Sequence, residues 1–247
     1  MPSPPLSIGQ CATLACVLEA TAPKVGNVHR STDFDDLTFT DFLASAVVIG
    51  PVMENAAAAG VGRTVLESVE RARQWTGTNV NLGIALLLAP LAAVPREMPL
   101  KAGVAAVLQN LTPEDSRLVY EAIRLARPGG LGTAEKMDVR EAPPALLLDA
   151  MAAARDRDLV AGEYVTDFSL VLDEVAPALV CGRQRGWSLT DAIIHSHVEL
   201  IARHGDSLVE RKCGSEIGRQ ASAMADDVLA AGGPGEDNYL RALSEFD

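Results

Sequence analysis

The sequence holds little of several things, and each shortage excludes something. Cysteine occurs only four times in 247 residues, as Cys11, Cys16, Cys181 and Cys213, with no CxxC pair among them. A zinc site draws paired ligands at short spacing, so these read as four unbridged thiols in a reducing compartment. Lys and Arg number 21 against 33 Asp and Glu, a net charge of −12, and the basic residues form no cluster. That argues against non-specific nucleic-acid binding and against docking on anionic lipid. The longest near-continuous apolar run, residues 82–94, contains Pro90 and falls short of the roughly 20 residues of a spanning helix. The N-terminus, MPSPPLS, has no basic stretch leading into an apolar one, so no secretory signal is expected and the chain is expected in the cytoplasm. No segment alternates apolar and polar residues with β-branched enrichment, and no repeat recurs at fixed period.

What is present is helical spacing. Apolar residues make up 48% of the chain, enough to exclude disorder and to build a core without staples. Ser7 stands as an N-cap before Ile8, Cys11, Leu14, Ala15 and Leu18, which recur at three and four. A second helix is expected from Thr38, kinked or broken at Gly50-Pro51. Residues 62–75 read as an amphipathic helix, with Val65, Leu66 and Val69 on one face. Residues 81–93 are apolar nearly all round and predict a central, buried helix. Thr112-Pro113-Glu114-Asp115 is a helix start, with a capping hydroxyl, proline at the first position and acids in the first turn. That helix stops at Arg127-Pro128-Gly129-Gly130. Further helices are expected over 144–154, 166–183, 188–204, 206–212, 215–231 and 236–246. The expectation is a single all-α domain over 1–247, of roughly ten helices around the buried central one.

Polar density concentrates in the loops between these helices. Lys24-Val25-Gly26-Asn27 leads into Asp33-Phe34-Asp35-Asp36, three carboxylates within four residues. They suit a hard divalent cation, or equally the favourable placing of acids at a helix N-terminus. Gly77-Thr78-Asn79-Val80-Asn81-Leu82-Gly83 sets two amides beside two glycines at the mouth of the most apolar helix. The amides can cap that helix, and the glycines can admit a ligand close to backbone. His204-Gly205-Asp206 runs on to Arg211-Lys212-Cys213-Gly214. His195 and His197 point about 200° apart on a helix, so they cannot chelate one ion together and read as ordinary helix residues.

In combination these blocks resemble the triphosphoribosyl-dephospho-CoA synthase (CitG-like) family. Its T-P-K-P-G-x-V motif stands here as Ala22-Pro23-Lys24-Val25-Gly26-Asn27-Val28. Its D-x-D-x-x-T-F is matched by Asp33, Asp35, Thr38 and Phe39. Its G-V-N-T-H-K-G block corresponds to Gly77 through Gly83, with Asn81-Leu82 where the family has His-Lys. The late Asp-Thr segment resembles Asp206-Ser207, with Arg211, Lys212 and Gly214 after it. The family's R-G-E-A segment is not evident, and the sequence is similar to a divergent branch found in archaea and in bacteria with methanopterin-linked one-carbon chemistry.

The resemblance implies an all-helical fold and a transferase. In that reaction the 2′-hydroxyl of 3′-dephospho-CoA attacks the anomeric carbon of ATP's ribose and adenine leaves. It implies Asp33 and Asp35, with Asp206 from a distant part of the chain, as the catalytic carboxylates. Asp33, Asp35 and Asp36 become the Mg²⁺ ligands. Lys24, Arg211 and Lys212 face the triphosphate, and Asn79, Asn81, Gly77 and Gly83 the nucleotide. The expected partners are ATP and 3′-dephospho-CoA or another cofactor precursor, with no nucleic acid and no membrane. A homodimer could pack through Ala-rich faces such as Ala56–Ala59. Two further readings stand beside this one. One is ribosyl-phosphate transfer in one-carbon cofactor synthesis; the other is a helical binding protein without catalysis.

Overall fold

The computed structural model describes residues 4–34, 37–129 and 137–247. Among these residues the regular elements are fourteen α-helices and one π-helical segment, with isolated bridges such as His29–Thr32 and no strand. The all-α class is borne out. The helices outnumber the roughly ten expected from average helix and loop lengths because short ones were not anticipated. The chain divides into two compact units, one of residues 1–17 and 35–168, the other of 18–34 and 169–247. No helix of the described residues is long and apolar enough to cross a membrane. None of the four cysteines is in a disulfide; Cys16 is buried and the others are exposed.

Helix α1 (Ile8–Thr21), whose residues 8–17 belong to the first unit, starts on a capping box built with glutamine. Ser7 Oγ accepts from the Gln10 N–H at 3.3 Å, and the Gln10 side chain accepts from the Ser7 N–H at 2.9 Å. Helix α1 crosses α2 (Phe39–Glu54) at glycines: a Cβ on Gly9 would stand 2.5 Å from the Gly50 carbonyl oxygen, and one on Gly50 would overlap Thr13 Oγ1. The break expected at Gly50-Pro51 is therefore absent, and α2 runs through both residues. Gly50 serves the crossing. Pro51 deprives only the Val47 carbonyl of its partner, on an exposed residue where water can replace it.

The short α3 (Ala56–Ala59) buries Ala56 and leads into α4 (Val61–Thr76), whose buried face is Val61, Val65, Leu66, Val69 and Ala72. Helix α5 (Leu82–Ala92) is the central helix anticipated from its all-round apolar sequence. It packs against α2, α3, α4, α6 (Leu100–Gln109), α7 (Pro113–Ala126) and α9 (Leu159–Val165). Thr112 caps α7 with Asp115 in a full capping box, and α8 (Leu147–Ala154) packs on α7 and α9. The α7 stop falls at Arg127, left-handed at φ 49 before Pro128, while Gly130 lies outside the described residues.

Pro90 sits inside α5 and has no N–H to offer the Leu86 carbonyl. The buried Tyr164 hydroxyl fills that role, donating to Leu86 O at 2.7 Å, and burial pushes its pKa up. Tyr164→Phe is expected to lower stability by about 1–3 kcal/mol, the effect of stranding a buried acceptor, as read by denaturant unfolding. Pro90→Ala in that background returns an N–H to Leu86 and should recover part of the loss. A Tyr164→Phe protein as stable as wild type would mean that the carbonyl needs no partner.

The helix expected over 166–183 is interrupted. Asp167 and Phe168 are both left-handed, at φ 53 and 62, although neither is glycine. Phe168 is fully buried, with its ring 5.8 Å from that of Tyr164, and this burial offsets the strained backbone. The second unit resumes with a π-helical segment (Leu170–Val175) and α10 (Ala176–Gln184). It continues with α11 (Leu189–His204), α12 (Ser207–Cys213), α13 (Ser215–Ala230) and α14 (Asp237–Phe246). Val198, Ile201, Ala225, Val228 and Tyr239 form its core.

Candidate active site

Within the second unit, the loop after α1 is built around a tight turn. The Asn27 N–H donates to Lys24 O at 3.2 Å, and Gly26 at the third position takes φ 72, the left-handed conformation that a type II turn demands of that residue. Val25 and Val28 are buried on either side and anchor the turn. Lys24 is buried too, and its Nζ donates to the Glu19 carbonyl and forms an ion pair with Glu19 Oε1 at 2.8 Å. Glu19 Oε2 is buried with no hydrogen-bond partner.

His197 of α11 closes the same loop: its Nε2 donates to the Val25 carbonyl at 3.2 Å. A carbonyl can only accept, so the ring proton of the neutral imidazole sits on Nε2 and Nδ1 keeps its lone pair. Burial holds the His197 pKa below the usual histidine range, and the Lys24 ammonium adds to this. The Val25 bond and the charges of Asp206 and Glu19 oppose it. Lys24 and Asp206, far apart in sequence, thus both act on one imidazole. Asp206 caps α12, its Oδ1 accepting from the N–H groups of Leu208 at 2.8 Å and Val209 at 2.9 Å.

The other anticipated residues fall in different places. Asp33 is exposed farther along the loop, while Asp35 and Asp36 lie outside the described residues. Arg211 and Lys212 are exposed in the last turn of α12. The amide loop belongs to the first unit. There Asn79 Oδ1 accepts from the Leu82 N–H at 3.3 Å. Asn81 occupies the cap position of α5 and is 96% buried, at 4% exposure, yet makes no capping bond, and its Nδ2 has no partner. Gly77 is left-handed at φ 75, and Gly83 is exposed with open space where a side chain would stand.

Glu19 and His197 are the residues that sequence reasoning missed. Glu19 lies on a helix with nothing to mark its reach to Lys24, five residues on. By spacing alone His197 can be compared only with His195, and the two do diverge. His195 Nδ1 lies 3.1 Å from the Tyr239 hydroxyl, in a ring cluster with Trp187. His29 is a further buried histidine on the loop, its Nδ1 accepting from the Ser31 N–H at 3.3 Å.

Fold and site together define an all-helical protein with a buried cation, carboxylates and a neutral imidazole around one loop, the equipment of an enzyme acting on a charged small molecule. The sequence model of the CitG family, ATP:dephospho-CoA triphosphoribosyl transferase, matches residues 5–247. The chain belongs to that family and is a transferase of coenzyme-precursor synthesis, whose reaction takes ATP and dephospho-CoA. Among solved structures it is similar to a protein from Archaeoglobus fulgidus proposed to be a triphosphoribosyl-dephospho-CoA synthase. The identity is 24%, over 82% of this chain and 86% of that one, with a TM-score of 0.61, a likeness that speaks for the fold. No curated protein matches the chain.

Proposed function

We propose that the reaction of this transferase is carried by the loop around Lys24 and the carboxylates that follow it. What supports the reading most is the loop itself, where the buried Lys24 ammonium pairs with Glu19 and His197 Nε2 donates to the Val25 carbonyl. The reaction is glycosyl transfer. The 2′-hydroxyl of 3′-dephospho-CoA forms a bond to the anomeric carbon of ATP's ribose, the bond from that carbon to adenine breaks, and positive charge develops on the sugar between the two events. Asp33 and Asp35 stabilise that charge, and one carboxylate takes the hydroxyl proton, which balances the proton that the departing adenine gains. Asp206 is the second carboxylate, held on its helix by the cap it forms. Lys24, Arg211 and Lys212 neutralise the triphosphate, for which ammonium and guanidinium groups are suited donors. Asn79, Asn81, Gly77 and Gly83 receive nucleotide on the first unit.

Mg²⁺ fits the donor set in kind. It takes oxygen ligands, and beside a triphosphate it needs only one or two carboxylates from the protein. Among the described residues no three ligating side chains cluster, and Asp35 and Asp36 lie outside those residues. Asp33, Asp35 and Asp36 would hold it, and bound there it would neutralise phosphate charge. On this reading the chain works in the cytoplasm.

The test is adenine release from Mg²⁺-ATP, followed by chromatography with and without 3′-dephospho-CoA. Release only with the acceptor is expected, slowed about 100-fold by Asp35→Asn. Full turnover in that variant would remove the carboxylate mechanism.

A further inference from the structure

The two commonest forms of a four-residue turn differ mainly in which way the central peptide points. In the turn at Lys24–Asn27 that peptide joins Val25 to Gly26, and its carbonyl is the one that accepts from His197 Nε2 at 3.2 Å. The type II form needs a left-handed third residue, as Gly26 is at φ 72. In the type I form the same residue takes φ of about −90° and the peptide is turned over.

Little within the turn chooses between the two forms. Glycine permits both, and the bond from the Asn27 N–H to Lys24 O belongs to both. Val25, at the second position, has no ring to fix its backbone as proline would. The bond to His197 does choose. Turning the peptide over would carry the Val25 oxygen away from the imidazole and bring the Gly26 N–H towards it, donor against donor. The imidazole is held firmly enough to enforce this, because His197 stands on α11 between the buried Ser196 and Val198. The bond spans 172 positions of sequence, so a distant helix sets the form of this turn.

The form matters for charge. The carbonyl and N–H of a trans peptide point opposite ways. With the Val25 oxygen on His197, the loop directs the positive end of that peptide away from α11, and Gly26 is exposed. The other form would set a carbonyl oxygen there, one residue from Lys24, where it would repel an anion.

We infer that His197 is a positioning residue of this transferase: through the Val25 carbonyl it locks the Lys24 loop in its type II form, the form suited to an anionic substrate. The inference rests on the proposed function in one respect, that the anion is the triphosphate of ATP.

The lock is tested by two substitutions combined. A Cβ on Gly26 would meet nothing within 4 Å, so Gly26→Ala adds only the strain of an L residue at positive φ. It is expected to lower the melting temperature of the otherwise wild-type chain by about 2–8 °C. His197→Met fills the space without the donor and leaves the turn free to adopt type I; His197→Leu serves if that variant does not fold. In this background Gly26→Ala should lower the melting temperature by less than half as much. Equal shifts in the two backgrounds would overturn the lock. The positioning role is tested by kinetics. His197→Met is expected to raise KM for ATP about tenfold, the effect of one hydrogen bond, with little change in kcat. His197→Gln, which keeps an N–H donor, should recover most of that loss. An unchanged KM in His197→Met, or no recovery in His197→Gln, would overturn the role. A wild-type chain that releases no adenine would count against the proposed function and remove the positioning role with it, while the melting comparison still decides the lock.

Discussion

Lys24→Met is expected to lower the melting temperature by about 4–10 °C, from a stability loss of about 2–3 kcal/mol. The ammonium is buried, and removing it leaves the Glu19 carboxylate unpaired, with one oxygen already buried and unpartnered. The expected loss stays below the usual range for a fully buried pair because the Glu19 side chain is 36% exposed and water screens part of its charge. Turnover should fall as well, about 100-fold in kcat/KM, the usual consequence of losing one charged donor to transition-state charge. The two effects separate in the double variant. Glu19→Gln with Lys24→Met removes the stranded charge, so it should recover stability but not turnover. If the double variant also recovered turnover, Lys24 would serve only to position the loop. If Lys24→Met melted like wild type, the pair would contribute nothing.

The second large effect is at Gly62, in the first turn of α4. A Cβ there would stand 2.5 Å from Asp115 Cα and 2.7 Å from its carbonyl oxygen. These are backbone atoms of α7 and cannot rotate aside. Asp115 also binds the start of both helices together: its Oδ1 accepts from the Gly62 N–H at 2.8 Å, and its Oδ2 from the Thr112 N–H at 2.9 Å. Gly62→Val is therefore expected to cost about 3 kcal/mol or more, the upper end for overpacking, and to lower the yield of folded protein. Gly162→Ala is the control, because its nearest neighbour would be Arg155 O at an ordinary 3.9 Å. That change should be neutral or slightly stabilising. Equal stability of the two variants would show that α4 and α7 can move apart without penalty.

The helices that the sequence made legible are those whose signals are local. Thr112-Pro113-Glu114-Asp115 carries its own cap, and α5 announces burial by having no polar face. Helix α6 escaped because its short apolar stretch between Pro99 and Asn110 has no capping side chain. Helix α9 escaped because it lies inside a charged stretch, where Asp158 caps it through the N–H groups of Val160 and Ala161. Pro51 misled because the carbonyl it frees, that of Val47, lies on an exposed residue where water can serve it. Phe168 misled in the opposite sense, since a phenylalanine gives no warning of a left-handed backbone that only tertiary burial sustains. The candidate site divides in the same way. Lys24, Asn81 and Asp206 could be picked from loop composition and family resemblance. Glu19 and His197 matter through what they touch, and no spacing rule encodes that.

The bond from Tyr164 to Leu86 spans 78 positions of sequence. During synthesis, α5 emerges long before the hydroxyl that completes its hydrogen bonding exists. The first unit therefore cannot finish its core by local steps. A nascent chain halted before α9 can pack α5 against the helices made before it, yet still carries a central helix with the Leu86 carbonyl unsatisfied.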